Sequence, residues 1–338
     1  MNCLVFALPL LAMGLVSCDK AKKVVDAARD KIEGVKDPGL PKPPGGEVSS
    51  GLVAQVDTAA EGVRFRRDLP FPTDIEARVT QRVTFHKIRR IATSALGTEN
   101  MTLDGPFEIV SRFQRSGSQL GMTIEREGRV VDPKEAVEKA KGKATAESNA
   151  PESPPLAGAR VEFQLGPNGW QLPARKGPAD FNLKVLEQNL LPKLPGLLVE
   201  HGLAPRKQWF SSSRRWIEGD KLVLEGDSLA LLFDDAGSGK LTLTYEVSEA
   251  LEGHPCGRFA VQGDVTLDGS ADLDGSITSG ELTIQSGKIW CSLLHPLVLR
   301  EEYQTVSTLT TGQGNGPKRK LQGAIDNLCA RQWTAKGS

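Results

Sequence analysis

Histidine occurs four times in 338 residues, aromatic side chains make up 5%, and acidic and basic side chains cancel at 42 each. Each shortage excludes something. With so few imidazoles the chain has little material for general acid–base work or for activating a nucleophile. A formally neutral chain also lacks the basic excess with which nucleic-acid binders displace counterions from phosphates, so no nucleic-acid partner is expected. The motifs of common active sites are missing as well: there is no Gly-x-Ser-x-Gly elbow, no His-Glu-x-x-His and no Walker loop. Gly237-Ser238-Gly239-Lys240 has the residue types of a phosphate loop, but the apolar pattern after it predicts a strand where a helix N-terminus is needed. The expectation is a protein with no catalytic activity and no cofactor.

Long apolar runs are scarce too. The 13 residues from Leu4 to Val16 reach only about 20 Å as a helix, short of the ~30 Å hydrocarbon core, and no later segment approaches a spanning length. The run ends in Leu15-Val16-Ser17-Cys18, which resembles the lipobox of bacterial lipoprotein precursors. That resemblance implies cleavage of residues 1–17, lipidation of Cys18 and attachment to a bacterial membrane, with the body facing the extracytoplasmic, periplasmic space. In one respect the leader departs from the pattern: no Lys or Arg precedes Leu4.

What the chain does have is glycine, 35 residues of it, together with a low aromatic fraction, which suits a turn-rich β protein. Past the anchor, residues 18–36 carry Ala21, Val25, Ala28, Ile32 and Val35 at helical spacing, an amphipathic helix. Residues 37–50 are Pro- and Gly-rich, a linker. An N-terminal β unit is expected over 51–132, a low-complexity excursion over 133–155 and a C-terminal β unit over 156–338. In the first unit Ile75, Ala77, Val79, Val83, Phe85 and Ile91 alternate with polar residues, predicting a long strand with one wet face. Phe107 to Ile124 reads as a hairpin turning at Ser116-Gly117-Ser118, and Val161 to Trp170 as another. Residues 179–191 carry the only long helical pattern of the body, and 221–224, 229–233, 241–247, 259–267, 281–293 and 297–309 read as an antiparallel meander.

The expected architecture is therefore α+β, mainly β: curved antiparallel sheet with one main helix packed on a concave face. In that outline the body is similar to the half-barrel of lipoprotein-carrier and lipid-binding lipoproteins. The likeness is architectural and carries no ligand with it. If the helix closes a groove, Leu186 and Leu190 line it. The expected partners are the membrane through Cys18 and an apolar ligand or an envelope protein. A structural scaffold without a ligand is the alternative, and an enzyme of unrecognised type comes third.

Several clusters carry a candidate chemistry. His254, Cys256, Cys291 and His295 offer the ligand set of a tetrahedral metal site, but an exporting compartment favours oxidation of the cysteines. Cys256, Cys291 and Cys329 allow three pairings; Cys256 with Cys291 is preferred, because both end strand-like runs in one β-rich block. Asp264, Asp268, Asp272 and Asp274 do not have the EF-hand spacing, and no metal site is expected there. Arg78, Arg82, His86 and Arg90 form a basic stripe along one strand face. Arg206 to Phe210 and Arg214 to Trp216 interleave cations with aromatics; the expectation is that a tryptophan enters the core and the arginines reach outward.

Overall fold

The computed structural model describes residues 45–66, 68–69, 74–94, 97–130, 157–167, 169–172, 214–232, 236–268, 277–295, 297–312 and 318–335. The lipobox, the helix expected at 179–191 with Leu186 and Leu190, the segment 133–155 and Arg206 to Phe210 lie outside them. A short helix α1 (Ser50–Val53), whose Ser49 hydroxyl caps Leu52 N–H, opens the body. Strands β1 (Asp57–Ala59) and β2 (Gly62–Arg64) form a small hairpin, tied to the body by paired backbone hydrogen bonds between Val63 and Trp216.

All remaining strands belong to one antiparallel sheet. In chain order they are β3 (Asp74–Ser94), β4 (Gly97–Ser116), β5 (Gln119–Arg129), β6 (Arg160–Gly166), β7 (Gly169–Gln171), β8 (Lys221–Glu225), β9 (Ala236–Leu251), β10 (His254–Leu267), β11 (Ile277–Ser292), β12 (Val298–Gly312) and β13 (Lys318–Ala335). Across the sheet the order is β7-β6-β5-β4-β3-β13-β12-β11-β10-β9-β8. Two meanders, β3 to β7 and β8 to β12, are thus joined by the last strand, which lies between β3 and β12. The sheet runs unbroken across the boundary expected at 133–155, and the β6–β7 hairpin pairs with β5 of the first half. Among the described residues no helix is long and apolar enough to cross a membrane.

The period-2 pattern explains the faces. On β3, Ile75, Ala77, Val79, Val83 and Phe85 are buried on what is here named the inner face. A bulge between Phe85 and Ile88, with Lys87 at φ 52°, inserts one residue and reverses the parity. Ile88 then takes the inner position and is fully buried, and Arg90 pairs with inner-face Leu321, so the basic stripe stops at His86. Its three outer members meet acids from other strands. Arg78 Nε donates to Glu125 (2.9 Å), Arg82 to Glu108 (2.6 and 2.8 Å), which also pairs with Arg126, and His86 Nε2 lies 2.9 Å from Asp326. The result is a ladder of ion pairs in which Glu108 and Asp326 are buried and their basic partners are half-buried to exposed.

Residues 229–233, expected as a strand, begin instead as a 3₁₀ turn over Gly226–Leu231, held by Ser228 Oγ bonding Glu225 N–H at 2.8 Å. The turn places Leu229 and Leu232 in the core, where a strand would have continued past the sheet edge. Elsewhere the strands approach so closely that a glycine is required. At Gly263 (φ 139°) an added Cβ would sit 2.0 Å from Lys240 O. Gly263→Ala is expected to destabilise the protein by more than about 1 kcal/mol, read in urea unfolding. An unchanged midpoint would mean the bulge relaxes freely.

Candidate functional site

The histidine–cysteine cluster folds into a structural knot. Cys256 stands opposite Ser292, and Cys291 stands opposite Gly257. One register step separates the two cysteines, so their side chains leave opposite faces of the sheet. Cys256 packs on the outer face with Leu251, Trp290, Leu297 and Leu299, and Cys291 packs in the inner-face core. The expected Cys256–Cys291 disulfide is therefore not formed, and both cysteines, like Cys329, are buried. Burial pushes the Cys256 thiol well above its ordinary pKa, the reverse of what a nucleophile needs.

His254 Nε2 lies 2.7 Å from Ser292 Oγ, which resembles the nucleophile–base half of a catalytic triad. The hydroxyl is otherwise committed. Its oxygen accepts from Leu294 N–H and His295 N–H at 3.1 Å each, pinning the turn into β12, so its proton is directed to His254. Ser292 is buried, and the bonding capacity of its hydroxyl is taken up within the protein. Burial, then the nearby His295, pull the His254 pKa down to about 4, so the imidazole is neutral and accepts this bond. Among the described residues no group of three or more His, Cys, Asp or Glu side chains is placed to hold a metal ion.

The aromatic cluster bears out the expectation for Trp216, which is buried in a core quartet with Phe65, Tyr245 and Phe259, while Arg214 stacks 3.6 Å over its ring. Arg215 instead turns to Asp57, and its hydrogen bond, with that of Arg64, holds the Asp57 carboxyl below its ordinary range despite partial burial.

The inner face presents the arrangement most suited to a ligand. Register places Phe107, Val83, Asn327, Tyr303, Gly287, Val261, Leu243 and Leu222 in one row across eight strands. Seven of these are apolar, aromatic or glycine. Asn327 is 0% exposed, and among the described residues neither its Oδ1 nor its Nδ2 has a hydrogen-bond partner. One row along, about 7 Å away, stand Ile109, Gln81, Cys329 and Glu301. Glu301 Oε2 accepts from Arg331 Nη2 at 3.1 Å, both side chains being 2% exposed, and Arg331 Nη1 donates to Val298 O at 3.2 Å. In the row on the other side Thr305 Oγ1 donates to Ile325 O at 2.9 Å. A polar stripe thus follows β12 and β13 through the middle of an apolar face, on which Leu103, Phe107 and Ile109 of β4 are only half-buried while Phe113 is fully buried.

None of these stripe residues stood out in the sequence. One signal was available: Glu301 and Glu302 are adjacent in a run read as a strand of the meander, and adjacent strand residues face opposite sides, so one acid had to point to the covered face of the sheet. No family model and no curated protein matches the chain. Among solved structures, a botulinum neurotoxin serotype C1 binding domain aligns over 77% of this chain and 79% of its own at 4% identity and a TM-score of 0.13. A binding domain of botulinum neurotoxin DC in complex with SialylT aligns over 77% and 79% at 8% identity and 0.11, and similarities of this size establish neither fold nor function for the chain.

Proposed function

We propose that this protein is a lipid-anchored lipoprotein of the bacterial envelope that holds an apolar ligand against the inner face of its sheet and performs no chemistry on it. Leu15-Val16-Ser17-Cys18, through its resemblance to a lipobox, supports the anchor and the extracytoplasmic location. Complete burial of the three remaining cysteines fits an oxidising compartment, since thiols out of reach stay reduced. The observation that carries the ligand reading is the apolar row from Phe107 to Leu222, wide for one sheet face and still half-open at its β4 end.

The packed quartet of Phe65, Trp216, Tyr245 and Phe259 supports the other reading, a scaffold without a ligand. One protein separates the two. Cys18→Ser is expected to leave the detergent phase into which the wild type partitions, and native mass spectrometry of that soluble form should show a co-purifying apolar molecule. A bare mass from freshly purified protein would favour the scaffold, and equal partitioning of both forms would remove the anchor.

A further inference from the structure

We propose that Asn327 receives the head of the bound ligand, and that this head is an uncharged carbonyl group carrying its own donor, a protonated carboxylic acid or an amide, on a long acyl chain. The inference rests on the reading that the inner face holds an apolar ligand, and it adds the chemistry of the ligand's polar end.

A buried amide with no partner on either atom costs about 1–3 kcal/mol for each unsatisfied group. Leucine has the branched four-atom side-chain skeleton of asparagine, is bulkier, and would continue the apolar row with no unsatisfied polar atom, so the amide is a feature that apolar packing does not explain. Asn327 offers one acceptor and one donor side by side, the complement of a carboxylic acid or an amide, which can pair with it through two parallel hydrogen bonds. A charged head fits poorly. The cation of the stripe, Arg331, is already paired with Glu301 at 3.1 Å, so an anion brought beside them would meet the Glu301 carboxylate as well as the guanidinium and would be desolvated without net compensation. Apolar side chains continue from the amide, buried Val83 in the same row and then half-buried Phe107, with Ile109 and Leu103 on the same strand face.

The test uses full-length Cys18→Ser protein, stripped of co-purifying lipid, with the neutral fluorophore N-phenyl-1-naphthylamine as reporter of the apolar face. Palmitamide, palmitic acid, hexadecyl phosphate and hexadecane compete for it. Palmitamide and acid-form palmitic acid are expected to displace the fluorophore at concentrations at least about ten-fold lower than hexadecane or hexadecyl phosphate, as one to two net hydrogen bonds provide. Asn327→Leu should abolish that preference while still binding the fluorophore, and should melt no lower than the parent; Asn327→Ala, which leaves the space open, checks that filling the site is not the cause. Equal displacement by palmitamide and hexadecane, or an undiminished preference in Asn327→Leu, overturns the proposal and leaves the apolar-ligand reading standing. Failure of the fluorophore to bind the parent protein overturns both.

Discussion

Glu301→Ala is expected to destabilise the fold by about 3–5 kcal/mol, seen as a lower urea midpoint at an unchanged slope. The reason lies in Arg331, whose side chain is 2% exposed and donates to the Glu301 carboxylate and the Val298 carbonyl. Removing the carboxylate takes its counter-charge from a guanidinium held inside the sheet. Replacing both, as Glu301→Met with Arg331→Met, should restore most of the loss, because a hydrophobic pair needs no desolvation of charge. An outer-face pair sets the scale: Arg78 and Glu125 are half-exposed, and Glu125→Ala should cost less than about 1 kcal/mol. If Glu301→Ala costs no more than Glu125→Ala, the interior pair is not an energetic feature of the core.

Stability should also fall between neutral and acid pH before any ordinary carboxylate titrates. His254 has a folded pKa of about 4 against an ordinary value of 6.5, because burial and His295 disfavour its charged form. Between those values the unfolded chain binds the proton and the folded one does not, so unfolding is favoured as pH drops. The stabilising difference is complete above about pH 6.5 and is lost as pH falls to about 4, amounting to about 3 kcal/mol. His295, its pKa also lowered by burial, adds in the same direction. Urea unfolding at pH 7, 5.5 and 4 reads the slope, and His254→Gln should flatten it. A wild-type stability that does not change over that interval would show that His254 takes up its proton as readily in the folded state as in the unfolded one.

The outer ladder and the inner stripe show how much of this was readable beforehand. Arg78, Arg82 and His86 could be placed on one face of β3 from alternation alone, but their acidic partners come from β4, β5 and β13, which no local pattern brings to them. Arg90 left the face through a bulge at Lys87, a position with no glycine to announce it. Strand β13 went unrecognised. Its sequence does not alternate, because from Lys320 to Cys329 the strand is covered on both faces and carries Asn327 and Cys329 on one and Asp326 and Leu328 on the other. Period-2 reading needs one wet face, and this stretch of the strand that joins the two meanders has none.

The sequence by itself determined a mainly β body, the alternating faces of β3 up to its bulge and of the β4–β5 hairpin, and the entry of a tryptophan from the Trp209 and Trp216 region into the core, since each follows from spacing along a single strand or from residue type. Only the tertiary structure decided that all eleven strands share one sheet, that Cys256 and Cys291 face opposite ways, and that Asn327 stands alone in an apolar row. These depend on register between strands far apart in the chain. A one-residue difference in register exchanges the two faces of a strand, and nothing in the local pattern of one strand states where its neighbour begins.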